Sequence, residues 1–382
     1  MANIPNAKEI ERLVAARAAE SLTLEFKAAP WERNDQGKRE ALKDITAMAN
    51  TRGGSILIGV AEDNNAASGL RPISAEAAEA ERSRINDLVT AGVEPRLYGV
   101  GIEAVPVDSG VVLALYIPRS PSRPHRVSSG GSNRFWLRNS TGTYEANVAD
   151  LKNLFLQSAE ITERAMRYHR DRTAAIRSGD IVPNLSDAPG SIILHIIHGD
   201  AFSGASPVDP KRAFELGEHF KPLGVHDRTS SFAFDGFLNI RGGAKCHGYT
   251  LVRRDGIVES IKIDLAGRPE VLPVYPIEAS VVNWTLEYVR GLSKLDIVPP
   301  YYAYVTLEGV GGRRIVHSAY DDATEAVRPW DLHLPVAIIE AWDSAAAIGA
   351  AFRPAFDAMW NSGGFAESLS YRTGQWEQKA RV

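Results

Sequence analysis

Glu20, Glu25, Lys27, Glu62 and Asp63 have the types and spacing of a site for phosphoryl chemistry. Residues 20–27, ESLTLEFK, alternate Leu22, Leu24 and Phe26 with Ser21, Thr23, Glu25 and Lys27. That is the period of a half-buried strand, which puts Glu25 and Lys27 on one side. Glu20 is expected at the end of the preceding helix, within reach of Glu25. Glu62 and Asp63 are expected just past a neighbouring strand. Gathered carboxylates repel one another unless a cation compensates them. A hard divalent cation with oxygen ligands is the natural compensator. The candidate metal ligands are therefore Glu20, Glu25, Glu62 and Asp63, and Lys27 completes the candidate catalytic set. The metal would polarise a phosphoryl oxygen and acidify a bound water. The lysine would stabilise developing charge or orient the water. Glu-x-Lys on a strand also recurs in metal-dependent nucleases of the restriction type. The competing reading is ordinary solvated charge on an exposed strand face.

A second feature is a run of cations. Residues 118–138 hold Arg119, Arg123, His125, Arg126, Arg134 and Arg138, with no Asp or Glu. Phe135, Trp136 and Tyr144 lie in or near it. Arginine forks suit phosphates, and interleaved aromatics can stack on bases. The segment RSPSRPHRVSSGGSNR has the composition of a loop that orders on binding. The five arginines are thus candidate nucleic-acid contacts, with salt-dependent and weakly sequence-specific affinity. The alternative is a solvated loop, with Trp136 in the core.

These residues need elements to hold them. Helical spacing predicts helices over 7–19, 37–50, 74–91 and 148–178, with strands at 20–27, 55–60, two between 97 and 118, and one in 135–147. Gly53-Gly54 reads as a helix stop and tight turn, since no Gly-Lys-Ser/Thr follows to make a phosphate loop. AEDNN (61–65) reads as a turn. In the second half, strands are predicted at 191–198, 231–240, 248–254, 257–264 and 302–309, with helices near 277–291 and 334–360. The fold class is α/β (α+β). Two domains are expected, 1–178 and 190–382, divided by the Gly- and Pro-rich segment 178–191.

Composition bounds the partners. The 382 residues carry 43 basic and 47 acidic side chains, a net charge of −4. This excludes a uniformly basic, histone-like binder. Residues 1–178 carry a net charge of +2 and residues 179–382 of −6. The single cysteine, Cys246, excludes internal disulfides and cysteine-rich zinc sites, and reads as a small buried thiol. No GxSxG elbow is present. His195 and His198 fall on opposite sides of a strand, which argues against a chelating pair. Met1–Leu13 shows no apolar leader and no stretch reads as a membrane span, so a cytoplasmic location is expected.

ESLTLEFK (20–27), AMANTRGGSILIGVAED (47–63) and RFWLRNSTGTYEAN (134–147) resemble the Schlafen-type AlbA domain, over about residues 10–160. The resemblance implies a small α/β nucleic-acid domain, in a family that includes metal-dependent ribonucleases cutting tRNA and rRNA. It also includes bacterial proteins described only as DNA- or ATP-binding. On the family's Glu-x4-Glu-Phe-Lys pattern, Glu20, Glu25 and Lys27 match, and Glu62 or Asp63 takes the third acidic place. The implied cofactor is Mg²⁺ or Mn²⁺, and the zinc site of larger relatives is excluded. One lobe implies a homodimer that recreates a two-lobed groove. The second half looks like the C-terminal region of bacterial proteins of similar length, with dimerisation or sensing as its expected role. The expected function is a metal-dependent endoribonuclease acting on structured RNA such as tRNA, in bacterial defence or stress. The alternatives are a non-catalytic DNA- or RNA-binding regulator, or a ligand-sensing or assembly protein with the AlbA lobe as scaffold.

Overall fold

The computed structural model describes residues 4–129, 132–139, 142–179, 183, 185–186, 190–202, 207–224, 228–242, 245–265, 269–316, 325–340 and 342–379. The chain divides into two units, Met1–Glu160 and Ile161–Val382. The division falls inside the helix Val148–Ser178 and not at residues 178–191. The physical reason is that Ala165 and Ile176 of that helix are buried among second-unit side chains.

The first unit runs α1 (Ala7–Ala15), β1 (Leu24–Lys27), α2 (Asp35–Asn50), β2 (Gly54–Ile58), β3 (Val60–Asp63), β4 (Ala66–Leu70), α3 (Ala75–Gly92), β5 (Val93–Glu94), β6 (Gly101–Val107), β7 (Gly110–Ile117), β8 (Arg126–Val127), β9 (Arg134–Asn139) and β10 (Gly142–Glu145). One sheet has the order β1-β2-β7-β6, with β1 and β2 parallel. A parallel pair needs a crossover, and α2 supplies it. Ile56, Ile58, Leu113 and Leu115 bury one face against Leu42, Ile45 and Met48 of α2. Phe26, Leu57 and Ala114 bury the other with Ile10 of α1. A second sheet, β10-β9-β8-β5, packs its β9 on α2.

Two local geometries fix the site loops. Gly53 ends α2 with φ +71, and its N–H donates to Met48 O at 2.8 Å. A Cβ on Gly54, at φ +147, would meet Thr23 O at 2.3 Å, so only glycine lets the chain pass here. Residues 61–65 are not all turn: Glu62 and Asp63 lie in β3, and the turn is Asn64-Asn65, both left-handed, a signature of tight hairpins.

The second unit takes the last part of α4 (Val148–Ser178), then β11 (Ser191–His198), α5 (Pro210–Glu215), β12 (Thr229–Ala233), β13 (Gly236–Gly242), β14 (Cys246–Arg253), β15 (Val258–Ile263), β16 (Val271–Leu272), α6 (Val274–Lys294), β17 (Tyr301–Glu308), β18 (Arg314–Ile315), β19 (Leu332–His333), β20 (Ala337–Ile339) and α7 (Ala345–Asn361). Its main sheet has the order β12-β13-β14-β15-β11-β17-β19, with β20 also pairing β17. The helices α6 and α7 cover one face and the end of α4 the other. The helix predicted from 334 starts at Ala345, because Ala337–Ile339 pair as an edge strand and Ser344 caps α7.

A chain of buried polar groups ties α4 to this sheet. Glu259 accepts from Arg172 Nε and Nη2 at 2.8 and 2.7 Å, from Tyr249 Oη at 2.7 Å and from His195 Nε2 at 2.9 Å. His195 Nδ1 in turn lies 2.7 Å from His169 Nδ1, which joins α4 to the network. Among the described residues no helix is long and apolar enough to cross a membrane.

Candidate functional site

Strand alternation sends Phe26 into the α1 side of the sheet and leaves Glu25 and Lys27 facing α2. There Lys27 Nζ lies 2.7 Å from Glu25 Oε1 and 2.9 Å from Asp44 Oδ2. Trp31 Nε1 donates to the same Asp44 oxygen at 3.1 Å. From β9, Arg138 Nη1 donates to the other oxygen of Glu25, and Nη2 to Ser21 O at 3.2 Å. Burial alone would raise the Glu25 pKa, but Lys27 and Arg138 hold it below the usual value. Burial likewise disfavours the Lys27 ammonium, yet Asp44 and Glu25 hold its pKa above the usual lysine value.

Glu20 is not at a helix end. It follows the Ala19–Ala66 bridge that ties the α1–β1 connection to β4, and its N–H donates to Asn65 O at 2.7 Å. Its Oε1 accepts from Phe26 N at 2.9 Å. Burial raises its pKa, the Phe26 N–H opposes this, and the charges of Glu62 and Glu25 raise it further. Of the two candidates for the third acid, Glu62 meets Glu20. Asp63 instead pairs with Arg17 at 3.3 Å in an exposed ion pair.

The predicted four-carboxylate metal set is therefore divided. Both oxygens of Glu25 are engaged by cations, Asp63 is turned to Arg17, and no three such ligands share one ion position among the described residues. Among the described residues Glu20 and Glu62 remain as an acid pair with no cation paired to them, an arrangement that a divalent ion relieves. Two carboxylates suffice for Mg²⁺, which keeps waters and takes substrate phosphate oxygens for the rest. By the chemistry of the donor set, Glu20 and Glu62 would be the residues to hold such an ion. A polar cavity of about 260 Å³ opens here, lined by Glu20, Glu25, Lys27, Lys43, Asp44 and Arg138.

The arginine run does not form one free patch. Arg119 is exposed, but Arg123 is buried and donates to Ser120 O at 2.9 Å and to Gln157 Oε1 at 2.8 Å. Arg126 pairs with Glu94 at 2.6 Å, Arg134 with Glu145 at 3.3 Å, and Arg138 with Glu25. The correction has a simple cause: a window without acids says nothing about acids that other strands bring to it. Nor is the described part of the loop free to order on binding. His125 is fully buried, with Nδ1 2.7 Å from Pro95 O and Nε2 2.6 Å from Ser120 Oγ. Gly130 and Gly131 lie outside the described residues.

Burial lowers the His125 pKa to about 4, the Pro95 carbonyl partly opposing it. Its contribution to stability is full above the ordinary value of 6.5 and is lost as the pH falls toward 4. Its ring resonances are expected to stay fixed from pH 8 to 5 by NMR. A midpoint near 6.5 would contradict the buried neutral ring.

Asp44, Lys43 and Arg39 of α2 escaped the sequence reading. The signal for Asp44 was present: it stands three residues after Ala41 and four before Met48, on the apolar stripe, where a charge needs a partner.

The Schlafen, AlbA_2 family model matches residues 20–147. A likeness of 17% identity and TM-score 0.27 links 38% of the chain to 27% of the DIP2311 protein from Corynebacterium diphtheriae. Another, of 15% identity and TM-score 0.27, links 34% of the chain to 84% of the N-terminal domain of an ATP-dependent DNA helicase RecG-related protein from Nitrosomonas europaea. No curated protein matches. The order of motifs, the β1-α2-β2 crossover and the family match agree: residues 20–147 form a Schlafen AlbA_2 domain.

Proposed function

We propose that the N-terminal unit is a metal-dependent endoribonuclease for structured RNA such as tRNA, working in defence or stress. The Schlafen AlbA_2 domain belongs to a family with nucleic-acid-related functions that includes nucleases. The observation that carries the catalytic reading is the acid pair Glu20–Glu62 set against the Glu25–Lys27–Arg138–Asp44 cluster. Phosphate binding alone gains nothing from clustered carboxylates. Glu20 and Glu62, with Glu25 beside them, would hold Mg²⁺ or Mn²⁺, which supplies phosphoryl polarisation and an acidified water. Lys27 stays cationic and offsets charge developing on the phosphoryl oxygens. Arg138 also lines this cavity, its guanidinium held on Glu25. Lys43, half-buried on α2, draws the RNA backbone in. In this reading two copies of the chain pair their lobes, which light scattering tests directly.

A second reading is a nucleic-acid-binding regulator. It is favoured by the engagement of both Glu25 oxygens with cations. Incubation with tRNA, rRNA and DNA in Mn²⁺ or EDTA separates the two. Cleavage that requires Mn²⁺ supports the nuclease; binding without cleavage of any substrate leaves the regulator.

The backbone contacts are testable by salt. Lys43→Ala and Arg39→Ala are each expected to weaken RNA binding and reduce its salt slope by roughly one unit. Arg123→Ala is expected to cost about 1–3 kcal/mol of stability by removing buried hydrogen bonds, with RNA affinity of the folded protein unchanged. Loss of affinity in a fully folded Arg123→Ala protein would return that residue to the interface.

A further inference from the structure

We propose that the cavity adjoining the carboxylate cluster is a base-binding subsite, and that it selects an unpaired nucleotide beside the bound phosphate. The proposal rests on the nucleic-acid role of the neighbouring site but not on cleavage there. The cavity measures about 430 Å³ and is walled by Trp136, Lys43, Arg39, Arg134, Gln36 and Ser132. That volume is in the range of pockets that bury small ligands, about 300–1,000 Å³. Lys43 and Glu40 line both cavities, so the two share a wall on α2.

Trp136 gives the pocket its chemistry. It lies in β9, half-buried, with part of its side chain packed against the α2 core and part lining the cavity. Its position is fixed: Asn50 Nδ2 donates to its carbonyl at 3.0 Å, and the same side chain clamps His125 at 2.8 Å. Lys43 Nζ stands 6.0 Å from the indole centroid. An indole on an anchored strand, flanked by cations, is the arrangement on which a base stacks while its phosphates are neutralised. Arg39 and Arg134 are exposed at the rim, and Gln36 and Ser132 supply groups that can meet a base edge. The acid in the wall, Glu40, already accepts from Gln36 at 3.2 Å.

The consequence concerns the substrate. Bases inside an A-form helix are stacked and paired, and cannot enter such a pocket. A phosphate in the carboxylate cavity with its neighbouring base on Trp136 therefore requires a loop, a bulge or an end.

The test uses the full chain in EDTA, so that binding is read without cleavage. The probes are a fluorescein-labelled eight-nucleotide single-stranded RNA and a twelve-base-pair RNA duplex without overhangs. Trp136→Ala should weaken the single strand by about five- to a hundredfold, and Trp136→Phe by less, with duplex affinity unchanged. Thermal melting followed by circular dichroism checks the fold of both variants. If Trp136→Ala does not fold, Trp136→Phe decides. Wild-type affinity for the single strand in a folded variant overturns the subsite, as does an equal loss on the duplex. Selective loss without cleavage in Mn²⁺ refutes the nuclease and keeps the subsite. No binding of either probe by the wild type overturns the subsite, while cleavage in Mn²⁺ decides the nuclease separately.

Discussion

Glu20→Gln is expected to reduce RNA cleavage in Mn²⁺ by about a hundredfold or more, while the melting temperature stays level or rises. The two effects part company because of what surrounds the carboxylate. Burial, Glu62 and Glu25 all raise the Glu20 pKa, against only the Phe26 N–H. The folded chain therefore bears a penalty for the charge at neutral pH, and the amide removes it. The cation of the proposed function would offset that folding cost. Glu25→Gln should behave differently. It leaves Lys27 and Arg138 short of a counter-charge, so it costs stability as well as activity. Asp63→Asn should do neither, since Asp63 is turned to Arg17 at the surface. Cleavage and melting measured side by side on the three variants decide the matter. Full activity in Glu20→Gln, or loss of activity in Asp63→Asn alone, would overturn the ligand assignment.

Glu259→Ala is expected to be the most destabilising single change in the second unit, at about 3–5 kcal/mol. The carboxylate is fully buried and answers Arg172, Tyr249 and His195 together. Its removal leaves a guanidinium, a phenol and an imidazole with no acceptor. It also loosens His169, whose Nδ1 lies 2.7 Å from His195 Nδ1. Urea denaturation followed by tryptophan fluorescence measures the cost, and a change below about 1 kcal/mol would refute the network's role. Acid gives a second handle with a fixed sign. Burial would raise the Glu259 pKa, but His195 and Arg172 hold it well below the ordinary 4.5, so its contribution is present above that value and lost below it. Burial, with His195 and His333, lowers His169 to about 2, so its contribution is complete above 6.5 and lost as the pH falls. The His169 share is lost as the pH falls below 6.5 and the Glu259 share only as it falls below 4.5, so the second unit loses stability in two successive acid ranges. In Glu259→Ala the Glu259 share of that acid dependence should disappear.

Much of this protein was legible in one dimension where the chemistry is local. Alternation along 20–27 placed Glu25 and Lys27 on one side of β1, and the 3.6-residue stripe marked α4 from Val148 to Ser178. Gly53-Gly54 and the Glu-x4-Glu-Phe-Lys spacing carried the family resemblance that the match over 20–147 bears out. These signals work because strand pleat and helix pitch relate residues only a few positions apart.

What the sequence could not determine is which distant charges share a dielectric. Arg138 is 113 residues from Glu25 and Glu94 is 32 from Arg126, and the tertiary fold alone makes them partners. The same holds for Asp44, whose charge in an apolar stripe becomes intelligible only when α2 crosses over Lys27. The choice between Glu62 and Asp63 rested on which side of β3 faces Glu20, and therefore on a hairpin register that one residue of slip would reverse. The sequence by itself determined the types of group brought to the N-terminal unit. Only the tertiary structure decided which cations are held between internal carboxylates, as Lys27 and Arg138 are, and which line an open cavity, as Arg39 and Lys43 do. The reason is that Coulomb energy depends on distance and burial, and neither is a property of position along the chain.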